Sequence, residues 1–391
     1  MNIVFFAHPD FLNHQSMPRF TKLLADGMKA RGHKITIWMP EAKAIKLSKS
    51  PILKKWFGYI DQFFFFPKSV KRKLKLLSDD TLFVFTDHAL GPWVPLVINK
   101  PHVIHCHDFL AQKSALNQIP QNPTSWTGKQ YQKYIRDGYS NGKNFISVSK
   151  KTKEDLHQFL SSKPQSSTFV YNGLNQVFVP QNKKDVREQL SKDININLNA
   201  GYILHVGGNQ WYKNRVGLIE IYDAWRNIAS SSLPLILIGQ KPDIDLAKAV
   251  EASPYKKDIH YLSGMPDSMV KKAYAGASLF LFPSLAEGFG WPIAEAMASG
   301  CPVVTTNEAP MSEVGGNAAF YIPLKPIQSD EIDVWSSEAA AVVNKVISLS
   351  SRELMTIERK GIENAERFNQ DKALDAIERQ YIEIFEHFKK R

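Results

Sequence analysis

The sequence predicts an α/β protein made of two doubly wound, Rossmann-like domains facing an interdomain cleft. Three observations predict it. Short apolar runs alternate with helix-length amphipathic stretches along most of the 391 residues. The series restarts near residue 202, and a polar, asparagine-rich stretch precedes the restart. Strand–helix alternation of this kind calls for parallel sheets covered on both faces by helices.

In the first series, strands are expected near 3–6, 35–39, 82–86, 102–106, 144–148 and 168–171. Met1-Asn2-Ile3-Val4-Phe5-Phe6 has no basic n-region and no small-residue cleavage site, so it reads as a buried strand and not as a signal peptide. A helix near 17–31 ends at Gly32, which suits a C-cap. The second series places strands near 202–206, 234–239, 258–262, 279–282, 302–305 and 319–322. Between the two series, Gln176 to Ala200 carries Asn182, Asn195, Asn197 and Asn199 and reads as a linker. The expected domains are 1–180, 181–370 and a C-terminal amphipathic helix over 371–391 that packs back on the first.

No run approaches the ~20 apolar residues that span a bilayer. Cys106 and Cys301 stand far apart in hydrophobic runs, which excludes a disulfide framework and a cysteine-based zinc site and fits a reducing, cytoplasmic compartment. The net charge of +11 raises the question of a polyanionic partner. Between Glu41 and Lys75, ten basic residues (Lys43, Lys46, Lys49, Lys54, Lys55, Lys68, Lys71, Arg72, Lys73, Lys75) stand against Glu41 and Asp61. Lys54 to Lys75 also holds Trp56, Phe57, Tyr59 and Phe63-Phe64-Phe65-Phe66. One reading puts these aromatics at the interface of an anionic membrane, a peripheral contact at its inner face. The other packs Phe63–Phe66 into the first domain and leaves the lysines solvated. No nucleic acid is expected, because no helix-turn-helix, zinc-finger or RRM signature accompanies the charge. No Gly-x-Gly-x-x-Gly follows a strand, which argues against a dinucleotide oxidoreductase.

Ligands of open α/β sheets bind beyond the carboxyl ends of the strands. There lies Leu285-Ala286-Glu287-Gly288-Phe289-Gly290-Trp291-Pro292-Ile293-Ala294-Glu295-Ala296-Met297-Ala298-Ser299-Gly300-Cys301-Pro302. Pro292 suits a helix start and Gly300 a helix end. Glu287 then sits in the loop before the helix, and Glu295 about one turn inside it. The Gly288-Phe289-Gly290 turn can aim backbone N–H groups at an anion. Two carboxylates flanking such a turn suit a molecule with both a phosphate and vicinal hydroxyls, such as a nucleoside diphosphate sugar.

This segment resembles the donor-site motif of the retaining family 4 glycosyltransferases (glycosyltransferase group 1), which have the two-domain GT-B fold. RGHKITIW (31–38), VIHCHDF (103–109), ISVSKKTKEDL (146–156), VYNGLNQVFVP (170–180) and HVGGNQWYKN (205–214) look like family blocks in family order. The resemblance implies a UDP- or GDP-sugar donor as substrate, no cofactor and no metal. It also implies a glycan or lipid-linked acceptor and work on surface polysaccharide. Glu295 would hold the ribose, Glu287 would contact the transferred sugar, and Gly288, Phe289 and Gly290 would supply backbone contacts. Lys213 would bind the diphosphate, where a fixed cation stabilises the charge of the leaving group. His107 would lie beside the sugar, with His105 expected on the opposite face of the strand. His105, His107 and Asp108 do not read as a metal set, since three ligands at one strand end converge awkwardly.

Two positions depart from the family pattern. Many relatives carry an arginine where Gly208 stands, and Arg215 is the candidate substitute. The first loop, Phe11 to Arg19, lacks the usual glycines, leaving the Ser16 and Met17 N–H groups to meet a phosphate. No carboxylate stands out as the nucleophile of a double displacement, so a same-face path assisted by the leaving phosphate is preferred. The alternatives are a nucleotide-sugar epimerase on the same fold and a non-catalytic nucleotide-sugar-binding subunit.

Overall fold

The computed structural model describes residues 1–12, 16–78, 80–174 and 176–390, and the chain divides into two compact units: Met1–Asn175 with Gln370–Arg391, and Gln176–Asn369. The first unit holds β1 (Asn2–Phe6), β2 (Lys34–Trp38), β3 (Thr81–Phe85), β4 (His102–Cys106), β5 (Asn144–Ser147) and β6 (Ser166–Phe169). They form one parallel sheet in the order β2-β1-β3-β4-β5-β6. The second unit holds β7 (Ile203–Gly207), β8 (Leu235–Gly239), β9 (Ile259–Leu262), β10 (Leu279–Phe282), β11 (Val303–Thr306) and β12 (Phe320–Ile322). Its parallel order is β12-β11-β10-β7-β8-β9. Every strand read from the sequence is present within two residues. The reason is physical: strands covered on both faces read as unbroken apolar runs, as in the fully buried Thr81-Leu82-Phe83-Val84-Phe85 and Leu279-Phe280-Leu281-Phe282.

Each sheet reverses its winding once. The reversal falls between β1 and β3 in the first unit and between β7 and β10 in the second. At such a switch point the connections diverge to opposite faces and leave a crevice at the carboxyl edge.

The first helix, Ser16–Ala30, ends at Gly32, whose φ of +85° permits the left-handed turn. The segment expected as a linker is corrected. Lys183–Ile194 is a helix of the second unit, burying Val186 and Leu190. Its asparagines are caps and not spacers: the Asn182 side chain accepts from the Lys184 and Asp185 N–H groups, and Asn195 closes the helix at φ +55°. The chain crosses between units near 175–176 and 369–370, not at 180.

The last helix, Gln370–Lys389, belongs to the first unit and buries Leu374, Ile377, Tyr381, Ile384 and Phe385 with Phe20, Leu24 and Met28. Arg31 Nε donates to Asp375 (3.0 Å), and His33 Nε2 lies 2.7 Å from Glu378. Deepest is Tyr381, whose hydroxyl meets His105 Nε2 at 2.6 Å. Burial pushes His105 down to about 3, so its ring is neutral and serves the tyrosine as an acceptor. Replacing Tyr381 by Phe strands that buried nitrogen. A loss of about 1–3 kcal/mol is expected, read as a lower urea midpoint; an unchanged midpoint would refute this account of the bond.

Candidate active site

In the second unit, two straps join the loop after β7 to the loop after β10. The Asn214 side chain caps the helix Arg215–Ile228 by accepting from the Gly217 N–H (3.2 Å), and its amide donates to the Pro283 carbonyl (3.0 Å). The Leu285 N–H donates to the Tyr212 carbonyl at 2.7 Å. Asn214 turns the chain sharply at φ +50°, directly after Lys213. The result is a largely buried ion pair across the switch point, Lys213 Nζ to Glu287 Oε1 at 2.7 Å. The Phe282 ring lies under the ammonium, 4.9 Å from it.

Several buried polar atoms on the same strand ends and loops lack partners: His205 Nε2, Ser284 Oγ, and Arg215 Nε and Nη2. His205 Nδ1 donates to the Leu281 carbonyl (3.0 Å), which leaves Nε2 as an acceptor without a donor. Burial first, and the Arg215 and Lys213 charges beside it, bring His205 to about 3 despite the opposing Leu281 bond. Orphaned polar atoms are rare in protein interiors, and grouped ones call for a missing polar partner. The set presents donors, an acceptor and one cation, with Lys213 nearby as a second, which fits phosphates and hydroxyls.

Gly290 starts the helix Trp291–Ala298 with φ +103°, a conformation that disfavours any side chain. Phe289 turns its ring inward against Phe368 (5.4 Å), so the Gly288–Gly290 turn offers backbone and not side chain. Glu295, inside that helix, accepts from the Tyr274 hydroxyl at 2.9 Å. Burial and then the Glu295 charge hold the Tyr274 phenol well above its usual range, so it remains a donor. The structure thus brings Lys213 and Glu287 into contact and fixes Glu295 through Tyr274.

Gly208 lies under two glutamines, since a Cβ there would sit 2.5 Å from Gln210 Oε1 and 3.1 Å from Gln240 Oε1. Arg215 is buried on the other side of that loop. Its Nη1 donates to Asn209 Oδ1 and to the Gln240 carbonyl (3.0 Å), bracing the loops after β7 and β8. Burial pulls its guanidinium below the ordinary arginine range, with only distant support from Tyr261 and Asp243.

In the first unit, His107 follows β4 and is buried. Its Nε2 donates to the Thr86 carbonyl (2.9 Å), which leaves Nδ1 as a lone pair. Burial lowers its pKa against the opposing pull of Asp87 and the Thr86 bond, so the ring is neutral. His105 is corrected. Residues two apart on a strand share a face, and Phe20 packs edge-on against both His105 (5.4 Å) and His107 (4.5 Å). Ser16 is the exposed first residue of its helix; residues 13–15 of the preceding loop lie outside the described residues. Among the described residues no group of three or more His, Cys, Asp or Glu is placed to hold a metal ion.

Sequence reasoning missed a second pair. His8, two residues past β1, meets Asp87, two residues past β3, at 2.9 Å across the first switch point. His88 Nδ1 lies 3.0 Å from the same carboxylate, off the hydrogen-bond direction. Burial would push Asp87 up, but the His88 charge and the His8 and His88 contacts outweigh it and hold the carboxyl well below its usual range. The signal was available: both residues directly follow strands, as His107 does.

Two family models match the chain, glycosyltransferase family 4 over residues 17–176 and glycosyl transferases group 1 over 186–328. Among curated proteins it is similar to O-antigen chain mannosyltransferase B of Escherichia coli, 36% identical over 36% of this chain and 40% of that protein. It is also similar to O-antigen chain mannosyltransferase RfbU of Salmonella typhimurium, 26% identical over 51% and 52%. These matches span about half, or less, of the curated relatives' lengths. Among solved structures, sucrose-phosphate synthase from Thermosynechococcus elongatus superposes with a TM-score of 0.74 at 15% identity, covering 99% of this chain and 100% of that one. WaaG, a glycosyltransferase involved in lipopolysaccharide biosynthesis, gives 0.66 at 16%, covering 96% and 99%. Anabaena HepE in complex with UDP and glucose gives 0.70 at 16%, covering 97% and 98%. Two matched family models in chain order, on two parallel sheets of this topology, make the chain a member of the family 4, group 1 glycosyltransferases with the GT-B fold.

Proposed function

We propose that this protein transfers a hexose from a nucleoside diphosphate sugar to a glycan or lipid-linked acceptor, with retention at the anomeric carbon, in building a surface polysaccharide. One observation carries the reading: the Lys213–Glu287 pair spans the switch point of the second sheet, with partnerless polar atoms on the adjoining strand ends. Lys213 offsets charge that develops on the departing diphosphate, so the reading needs no cofactor and no metal. Glu287, aligned by Lys213, meets the sugar hydroxyls, and Glu295, aligned by Tyr274, meets the ribose. Arg215, with two nitrogens unused, is the second cation where the family arginine is replaced by Gly208. The Gly288–Gly290 backbone completes the donor side. Retention is supported by the family pattern alone, and the engagement of Glu287 with a cation favours a same-face path over a double displacement.

The first unit supplies the acceptor side. On its donor-facing side, His107 accepts from a hydroxyl of the transferred sugar at Nδ1 and Ser16 offers its backbone N–H to the donor phosphate; Asp87 is a positioning residue that orients His8 toward an acceptor hydroxyl. The named mannosyltransferases and the UDP-glucose-bound Anabaena structure make GDP-mannose and UDP-glucose the first donors to test. No helix among the described residues is long and apolar enough to cross a membrane. The basic, aromatic surface over 54–75 supports a cytoplasmic protein that meets lipid-linked acceptors peripherally at the inner face of the membrane.

A thermal-shift screen of UDP, GDP, ADP and their sugars tests the donor side. A cognate ligand at 100 times its dissociation constant adds about 2.7 kcal/mol, and Lys213→Ala removes that shift. No shift with any nucleotide, or an equal shift in the variant, refutes the site. Glu287→Ala is expected to cut kcat by roughly 100- to 1000-fold, while Glu295→Ala acts mainly on donor KM. Free, isomerised donor formed without acceptor would instead make the protein an epimerase. For the first unit, His8→Ala is expected to raise acceptor KM while the nucleotide-induced shift stays intact; an unchanged acceptor KM removes His8 from the site.

A further inference from the structure

The segments Pro51–Ile60, Asp61–Phe65 and Phe66–Leu74 run on as one helix whose middle part is a π-helical turn. Pro67 accounts for the wide turn, because it has no N–H to donate and its ring crowds the carbonyl one turn back. One face of this helix is packed. Gln62, Phe66 and Val70 are buried, the Trp93 indole donates to the Gln62 carbonyl (3.0 Å), and Phe63 packs against Tyr131 and Tyr134 at 6.1 and 5.5 Å.

The other face is bare. Ile52, Trp56, Ile60 and Phe64, four residues apart, are 73%, 57%, 40% and 52% exposed. On a regular helix each step of four over-rotates by about 40°, and such a stripe drifts away. The π turn between Ile60 and Phe64 winds less per residue and holds Phe64 near the line of the others. Leu53 and Phe65, next to stripe residues in sequence, are exposed, as are Leu47 before the helix and Leu76 after it. The two readings of the phenylalanine run therefore divide by residue: Phe63 and Phe66 pack, and Phe64 and Phe65 do not.

The charge around the stripe is of one sign. Asp61 is the one acidic residue between Ala42 and Leu76. It is fully buried, its carboxylate accepting the N–H groups of Lys43, Ala44 and Ile45 at 3.1, 2.7 and 3.0 Å. Within the segment 41–75, the ten lysines and arginines are therefore opposed at the surface by Glu41, 3.2 Å from Lys43. Lys68 lies 3.6 Å over the Phe64 ring, a cation seated on an exposed aromatic.

We propose that this face docks on an anionic lipid bilayer, with Ile52, Trp56, Ile60 and Phe64 entering the boundary between headgroups and acyl chains. Lys55, Lys68, Lys71 and Arg72 lie over the headgroups. An apolar helix face rimmed by cations has the form of an interfacial helix. Nucleic acid fits less well, since a ridge with aliphatic Ile52 and Ile60 finds nothing apolar along a phosphate backbone. A second copy is disfavoured by repulsion between like-charged faces. This deepens the membrane contact of the proposed function but stands on the surface alone, so it can fail while the donor site holds.

Flotation of the full chain with vesicles of phosphatidylcholine, alone or mixed with phosphatidylglycerol, tests it. The protein is expected to float with the anionic vesicles and to lose binding as salt rises. Brominated acyl chains should quench fluorescence, and Trp56→Phe should remove that quenching. Trp56→Ala with Phe64→Ala should weaken flotation about tenfold or more, while the nucleotide-induced thermal shift shows that the variant is folded. Equal flotation with both vesicles, or with neither, overturns the proposal. So does full binding by the double variant, or tighter retention on duplex RNA than on anionic vesicles.

Discussion

The reversal of winding in each parallel sheet governs where chemistry can occur in this protein. A strand inside a doubly wound sheet is covered on both faces, and ligands of such sheets bind beyond the carboxyl ends, in the crevice at the switch point. In each unit an acidic and a basic side chain bridge that point. Lys213 and Glu287 do so between β7 and β10, and His8 and Asp87 between β1 and β3. Both pairs join neighbouring strands that are far apart in sequence, and both depend on the pairing of those strands.

Such pairs are poor investments in stability. Removing an ammonium and a carboxylate from water costs several kcal/mol per ion, and their attraction offsets this only with good geometry. The second unit adds partnerless atoms on His205, Ser284 and Arg215. A protein selected for stability alone would fill those positions with apolar side chains. The function proposed above gives these positions a reason to be polar, which stability alone does not. The straps from Asn214 and Tyr212 keep the two loops in place meanwhile.

The long helix of the first unit shows the opposite economy. Asp61, which could have neutralised the basic surface, is withdrawn to satisfy three backbone N–H groups, and a proline-induced wide turn keeps four large apolar residues in register on the solvent side. Each feature has a local structural cause. Together they leave an apolar ridge and a field of one sign, a combination that water alone does not favour.

Much of this was legible in the residues. The twelve strands were readable because burial on both faces demands continuous apolar runs, and the turn from Glu287 to Glu295 because glycine, proline and carboxylate occupy positions that a helix start restricts chemically. Gly32 could be read as a helix end for the same local reason. Other features depend on partners that a linear reading cannot see. The asparagines of 182–199 resemble a linker until Val186 and Leu190 find a core. Which of Phe63 to Phe66 is packed depends on Phe6 and Trp93, which cover Phe66, and on the helix beginning at Trp126, which meets Phe63. The contact of Tyr381 with His105, and the pairs Lys213–Glu287 and His8–Asp87, join residues 276, 74 and 79 positions apart. Local sequence determined the strands, the turns and the types of group available for chemistry, because backbone preference and burial act over a few residues. Tertiary structure alone decided which charges meet, since that follows from strand order, and strand order is set by the packing of whole sheets.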